Sequence, residues 1–171
     1  MKKIISVLLV LSLAFAFAAC SKGGENGETP TQPTEKVITA TVDEVAATLT
    51  EKLIFIDTEI EKYDRNEKTL SLFDLDETVV TELADYKAGS GATAEEVLVF
   101  KCADSEGVEK VYNACLVRVQ ELHDLYSNYQ GRDTKDAVAE IDSAAIQSYG
   151  NIVVFAICKN PDAVESIIID L

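Results

Sequence analysis

The chain has 171 residues, 47% of them hydrophobic, and a formal charge of −15 from 15 basic and 30 acidic residues. That length fits one domain with additional segments. A charge of this sign repels phosphate backbones and anionic lipid headgroups, and no run of Lys or Arg exceeds two residues, so the composition argues against nucleic-acid binding.

Residues 1–19 read as an export signal, with Lys2 and Lys3 before an apolar run that ends in small residues. At about 1.5 Å per residue, that run is short for a permanent membrane-spanning helix. Phe17-Ala18-Ala19-Cys20 resembles a bacterial lipobox, where cleavage precedes a cysteine whose sulfur carries a diacylglycerol; Phe17 stands where leucine is usual. Ala16-Phe17-Ala18 also has the small-x-small form of a soluble-export site, which leaves plain secretion as the alternative. The expectation is lipid attachment at Cys20, each acyl chain contributing roughly 0.8 kcal/mol per buried CH₂. The segment 20–36 then forms a tether. After Cys20 it holds three glycines, two prolines and no side chain able to enter a core, so it cannot recover its ordering entropy. Extended, it reaches at most about 50 Å. A single domain over 37–171 would follow, held at the outer face of a bacterial cytoplasmic membrane.

Within the domain, Val45, Ala46, Leu49 and Leu53 fall at helical spacing, with Thr41 or Asp43 as cap. The apolar run 53–56 has no decided state. The charged segment 58–69 reads as a solvated helix end and loop, followed by an apolar approach through Leu70, Leu72, Phe73 and Leu75. Residues 83–102 read as two strands facing each other across a Gly-rich connector, Gly89 to Glu96. A long helix is expected over 106–129, where Val108, Val111, Cys115, Val119, Leu122 and Tyr126 step by three or four. A short helix over 135–141 is next. Gly150-Asn151 between residues 144–149 and 152–158 is a hairpin signal. The second of those runs is apolar on both sides, which places it centrally in a sheet. Asn160 as cap and Pro161 at the first helical position start the last helix, with Val164, Ile167, Ile168 and Leu171 on its buried face. The expected class is α+β: a two-layer domain with an antiparallel four-stranded sheet, helices on one face, and the order α-ββα-ββα.

The string Ser90-Gly91-Ala92-Thr93-Ala94-Glu95-Glu96, with 97–101 after it, resembles the signature of an uncharacterised family of small lipoproteins from low-GC Gram-positive bacteria. A second block at 150–155 and Asn160-Pro161-Asp162-Ala163 extends the resemblance over about 37–171. That family is a domain of unknown function. The resemblance therefore implies a cell-envelope address and an architecture, and supplies no catalytic residues.

Chemistry-bearing constellations are sparse. Apart from Cys20, the cysteines are Cys102, Cys115 and Cys158, which read as core residues, with a disulfide between two of them as the alternative in an exported protein. Without a CxxC pair no zinc site is expected, and the lone His123 reads as a boundary residue. Asp74-Leu75-Asp76-Glu77 lacks the glycine and glutamate of a calcium loop, so a solvated turn is the better reading. No nucleophile, Walker or Rossmann pattern occurs, and no cofactor or metal is expected. The leading functional reading is a lipid-anchored module that binds a protein or small-molecule partner, with Tyr86, Ser90, Thr93 and Glu95 as contact residues. The alternatives are an envelope hydrolase assembled from scattered Asp, Glu and Tyr, or a structural assembly factor. Between two strands, the connector reads as a structural turn more readily than as a ligand-gripping loop, though its length exceeds what a hairpin needs.

Overall fold

Thr41 opens the first helix with a complete capping box: its side chain accepts from the Glu44 amide, and the Glu44 carboxylate accepts from the Thr41 amide. This helix, α1 (Val42–Lys52), is followed by a short strand β1 (Ile60–Lys62), helix α2 (Asn66–Leu72) and strands β2 (Val80–Ala88) and β3 (Glu96–Cys102). Two helices come next, α3 (Ser105–Ser127) and α4 (Lys135–Asp142). The hairpin β4 (Ala145–Tyr149) and β5 (Ile152–Ile157) and the terminal helix α5 (Ala163–Ile169) complete the chain. These elements belong to a computed structural model that describes residues 38–57, 59–90, 93–129 and 134–171. The expected export signal, Cys20 and the expected tether lie outside the described residues, as do Gly91 and Ala92 of the connector and residues 130–133.

The strands form one antiparallel sheet in the order β1-β2-β3-β5-β4. The α+β class and the antiparallel pairing follow the sequence reading, but two parts of it are corrected. The sheet has five strands, because the charged segment after α1 supplies the edge strand β1, which pairs Ile60 with Ala88 and Lys62 with Tyr86. Helices also cover both faces, so the expected single helical layer and the order α-ββα-ββα do not hold. The physical reason lies in β3 and β5. Val97, Leu98, Val99 and Phe100 are all fully buried, as are Val153 to Ile157. Successive residues of a strand point to opposite faces, so a strand buried throughout needs cover on both.

The period of two sorts the core. Val97, Val99, Val154 and Ala156 pack with α1 and α5 through Val45, Ala46, Leu49, Val164 and Ile168. Leu98, Phe100, Val153, Phe155 and Ile157 pack with α2, α3 and α4 through Leu70, Val108, Val111, Cys115 and Ile141. Phe73, just past α2, meets Phe100 and Phe155 edge-on, with ring centroids 5.5 and 6.1 Å apart. The apolar approach read before β2 is thus a helix and its C-terminal anchor.

Asp104 caps α3 by accepting from the Gly107 amide at 2.8 Å. Gly150 turns the β4–β5 hairpin at φ 60°, where a Cβ would meet nothing within 4 Å, so backbone conformation alone selects glycine. The last helix starts later than expected. Asn160 does not cap it: its side-chain oxygen accepts from the Ile54 amide at 2.8 Å and so ties the α1 exit to the end of β5.

Candidate functional site at the connector end of the sheet

At the end of the sheet where the connector joins β2 to β3, the two faces carry different polar arrangements. On the α1 side, Glu95 is 1% exposed. Its Oε1 accepts from the Ile56 amide, and its Oε2 accepts from the Asp57 amide at 2.8 Å and from the Thr93 hydroxyl at 3.1 Å. A buried carboxylate with three donors is well compensated. The undecided run 53–56 owes its shape to this contact and to Asn160. The Ser90 hydroxyl donates to the Asp57 carboxylate, and the Gly89 amide donates to the Glu59 carbonyl at 2.7 Å. A Cβ on Gly89 would stand 3.3 Å from that same oxygen, a tight approach. The connector is therefore fastened to the loop after α1 by its own side chains and backbone.

Opposite it, on the face covered by α2 and α3, four charged groups and two neutral ones converge. Asp85 and Lys87 come from β2, Glu96 from β3, Arg118 from α3, Thr69 from α2, and Tyr63 follows β1. Lys87 Nζ stands 3.2 Å from Asp85 Oδ2 and 4.0 Å from Glu96 Oε2, and lies 4.8 Å above the Tyr63 ring. Arg118 Nε donates to Glu96 Oε1 at 3.4 Å, and the Thr69 hydroxyl donates to Asp85 Oδ2 at 2.5 Å. Asp85 is 1% exposed and Glu96 3%. Asp85 Oδ1 is buried with no hydrogen-bond partner among the described residues. Burial pushes the pKa of Asp85 up, against the opposing pull of Thr69 and Lys87. Burial does the same to Glu96, with Arg118 and Lys87 opposing and Asp85 adding to the rise.

None of the residues expected to make contacts belongs to the charge cluster. Ser90, Thr93 and Glu95 come together around Asp57, Ser90 exposed and Thr93 half-buried. Tyr86 lies on β2, half-buried against the α1 and α5 core. Its neighbours Asp85 and Lys87 face the other side, and sequence reasoning passed over them together with Glu96 and Arg118. The available signal was the register: Asp85, Lys87 and Glu96 extend strands whose other members on that face are core residues.

The three described cysteines are free and buried. Burial raises the thiols of Cys102 to about 12 and Cys158 to about 11, and that of Cys115 well above the ordinary value, so none is a ready nucleophile. His123 Nδ1 lies 2.6 Å from Asp142 Oδ1 between α3 and α4. In the Asp74 to Glu77 turn, the Asp76 carboxylate accepts from the Thr78 amide at 2.8 Å, a local turn contact. Among the described residues no group of three or more His, Cys, Asp or Glu side chains could hold a metal ion. An open depression of about 610 Å³ is lined by Lys62, Arg65 and Lys68 together with Asp43, Asp64 and Glu67. It presents charges of both signs.

No curated protein and no solved structure matches the chain. A family model, described as Domain of unknown function (DUF4358), matches residues 55–158. The match runs from just before β1 to just after β5 and includes Glu95 with its backbone donors and the whole charge cluster; α1 and α5 lie outside it.

Proposed function

We propose that this chain, which belongs to the DUF4358 family, works as a lipid-anchored module on the outer face of a bacterial cytoplasmic membrane and binds a protein partner there. One observation carries the reading: Phe17-Ala18-Ala19-Cys20 closes an apolar leader, and a Gly-, Pro- and Thr-rich stretch without core residues follows at once. Such a tether leaves a folded domain close to the bilayer and free to turn. The partner reading is supported by the connector end of the sheet. There the loop held by Glu95 presents Ile54 at 56% and Ile56 at 43% exposure beside Ser90 and Asp57. Apolar side chains on a braced loop, edged by polar groups, suit a protein surface. Tyr86, Ser90 and Thr93 remain contact residues in this reading, and Glu95 holds the loop from beneath.

Fractionation of cells expressing Cys20→Ala tests it, with cross-linking of the membrane fraction of an Ile56→Asp variant as a second arm. Cys20→Ala is expected to leave the membrane fraction, and Ile56→Asp to stay there and lose the parent's cross-linked species. Retention of Cys20→Ala at the parental level overturns the anchor; an unchanged cross-linking pattern overturns the contact surface.

A further inference from the structure

The charge cluster under α2 and α3 is more than an ion pair that fastens a helix. Its two carboxylates sit on neighbouring strands: Glu96 is the direct register partner of Lys87, and Asp85 pairs with Leu98, one position along on the same face. One ammonium spans both acids, and the guanidinium of Arg118 contacts Glu96 and acts on Asp85 from further away. Asp85 has Thr69 and Lys87 on one oxygen and, among the described residues, no hydrogen-bond partner on the other. A buried carboxylate oxygen without a donor is costly when ionised and much less so in a neutral acid. Two such acids in one site do not ionise independently; they take up and release protons as a pair.

We propose that Asp85 and Glu96 form a single proton-binding unit that makes the packing of α2 and α3 on the sheet respond to pH. The groups facing it are Lys87 on β2, Arg118 and the neutral Cys115 on α3, Thr69 on α2, and the Tyr63 ring beyond β1. In the ionised form Lys87 is shared between two acids and Asp85 Oδ1 is uncompensated. In the protonated form the uncompensated charge is gone, the Thr69 contact persists, and Lys87, partly exposed, is released toward Glu96 and solvent.

The sign follows from the direction of the shifts. Both groups hold a proton more readily in the fold than in the unfolded chain. Their contribution to stability is complete below the unfolded carboxylate range, near pH 4, and is lost as pH rises through the folded values. The cluster therefore tightens the domain in mild acid, opposite to an ordinary paired carboxylate. A domain tethered outside the membrane would meet the pH of the medium directly. That consequence rests on the proposed export; the proton-binding unit itself does not.

Carbon-13 NMR titration of the side-chain carboxyl groups of the full chain in detergent micelles tests the proposal. Asp85 and Glu96 are expected to titrate above Glu44 and Asp76, which hydrogen bonds hold below the usual carboxylate range. In Asp85→Asn, the Glu96 midpoint is expected to move down because a like charge has left. Titration of both acids alongside Glu44 and Asp76 overturns the proposal, and so does a Glu96 midpoint indifferent to Asp85→Asn. Should that variant fail to fold, the parent titration alone decides.

Discussion

Glu95 and Glu96 are consecutive, and both are almost fully buried at the same end of the sheet, yet their surroundings treat the carboxylate in opposite ways. Glu95 turns to the α1 side and meets two backbone amides and a hydroxyl, donors that carry no competing charge requirement. Glu96 turns to the α3 side and meets a guanidinium at 3.4 Å, an ammonium at 4.0 Å and a second carboxylate whose charge opposes its own. Amides fixed by the fold offset desolvation without a partner that must itself be desolvated. Charged partners must give up their own hydration, and the net gain is correspondingly small. Burial of an acid is thus no single kind of event. One of these neighbours is a structural fastener; the other belongs to a site where burial pushes two acids toward their protonated forms.

Removing a side chain from each site separates the two. Glu95→Ala has the largest expected effect, a loss of about 3 kcal/mol in denaturant unfolding, because two backbone amides and Thr93 lose a buried acceptor together. The loop 53–57 should then show faster amide exchange at Ile56 and Asp57. Arg118→Ala comes next, costing about 2 kcal/mol near neutral pH by leaving Glu96 with only the distant Lys87. That cost should shrink as pH falls, since a Glu96 that takes up a proton at raised pKa no longer needs the guanidinium. A penalty that stays constant from neutral to mildly acidic pH would mean that Glu96 remains ionised throughout.

The sequence revealed the architecture better than the sites, for identifiable reasons. The hairpins, the long amphipathic helix and the cap Thr41 are local patterns, and each appears where local chemistry places it. Ile152 to Cys158 also carries the sign of a doubly covered sheet, since an apolar strand with no polar side needs cover on both faces. Strand β1 left no such trace. It is a three-residue edge strand with two charged members, the composition that keeps an exposed edge from pairing further. Helix α2 is seven residues long without a side-chain cap, too short for a period to stand out.

The sites were harder to see because polar residues in strands usually mark the solvated face. Leu83, Asp85 and Lys87 alternate as a half-buried strand should, but the face they share is covered by α2 and α3, and only the fold brings Arg118 and Thr69 over it. Ser90 and Thr93 stand out in the sequence through the length of the connector, and the structure ties that connector to the loop after α1. A contact over thirty residues away in sequence leaves no local signature.

The most direct test of the contrast is a side-by-side denaturant titration of Glu95→Gln and Glu96→Gln at neutral pH, since each swap keeps the shape and removes only the charge. Glu95→Gln is expected to lose about 1–2 kcal/mol, because its amide offers one acceptor oxygen where two were bonded, and Glu96→Gln less than about 1 kcal/mol. A Glu96→Gln variant that loses as much as Glu95→Gln, or more, would contradict the account.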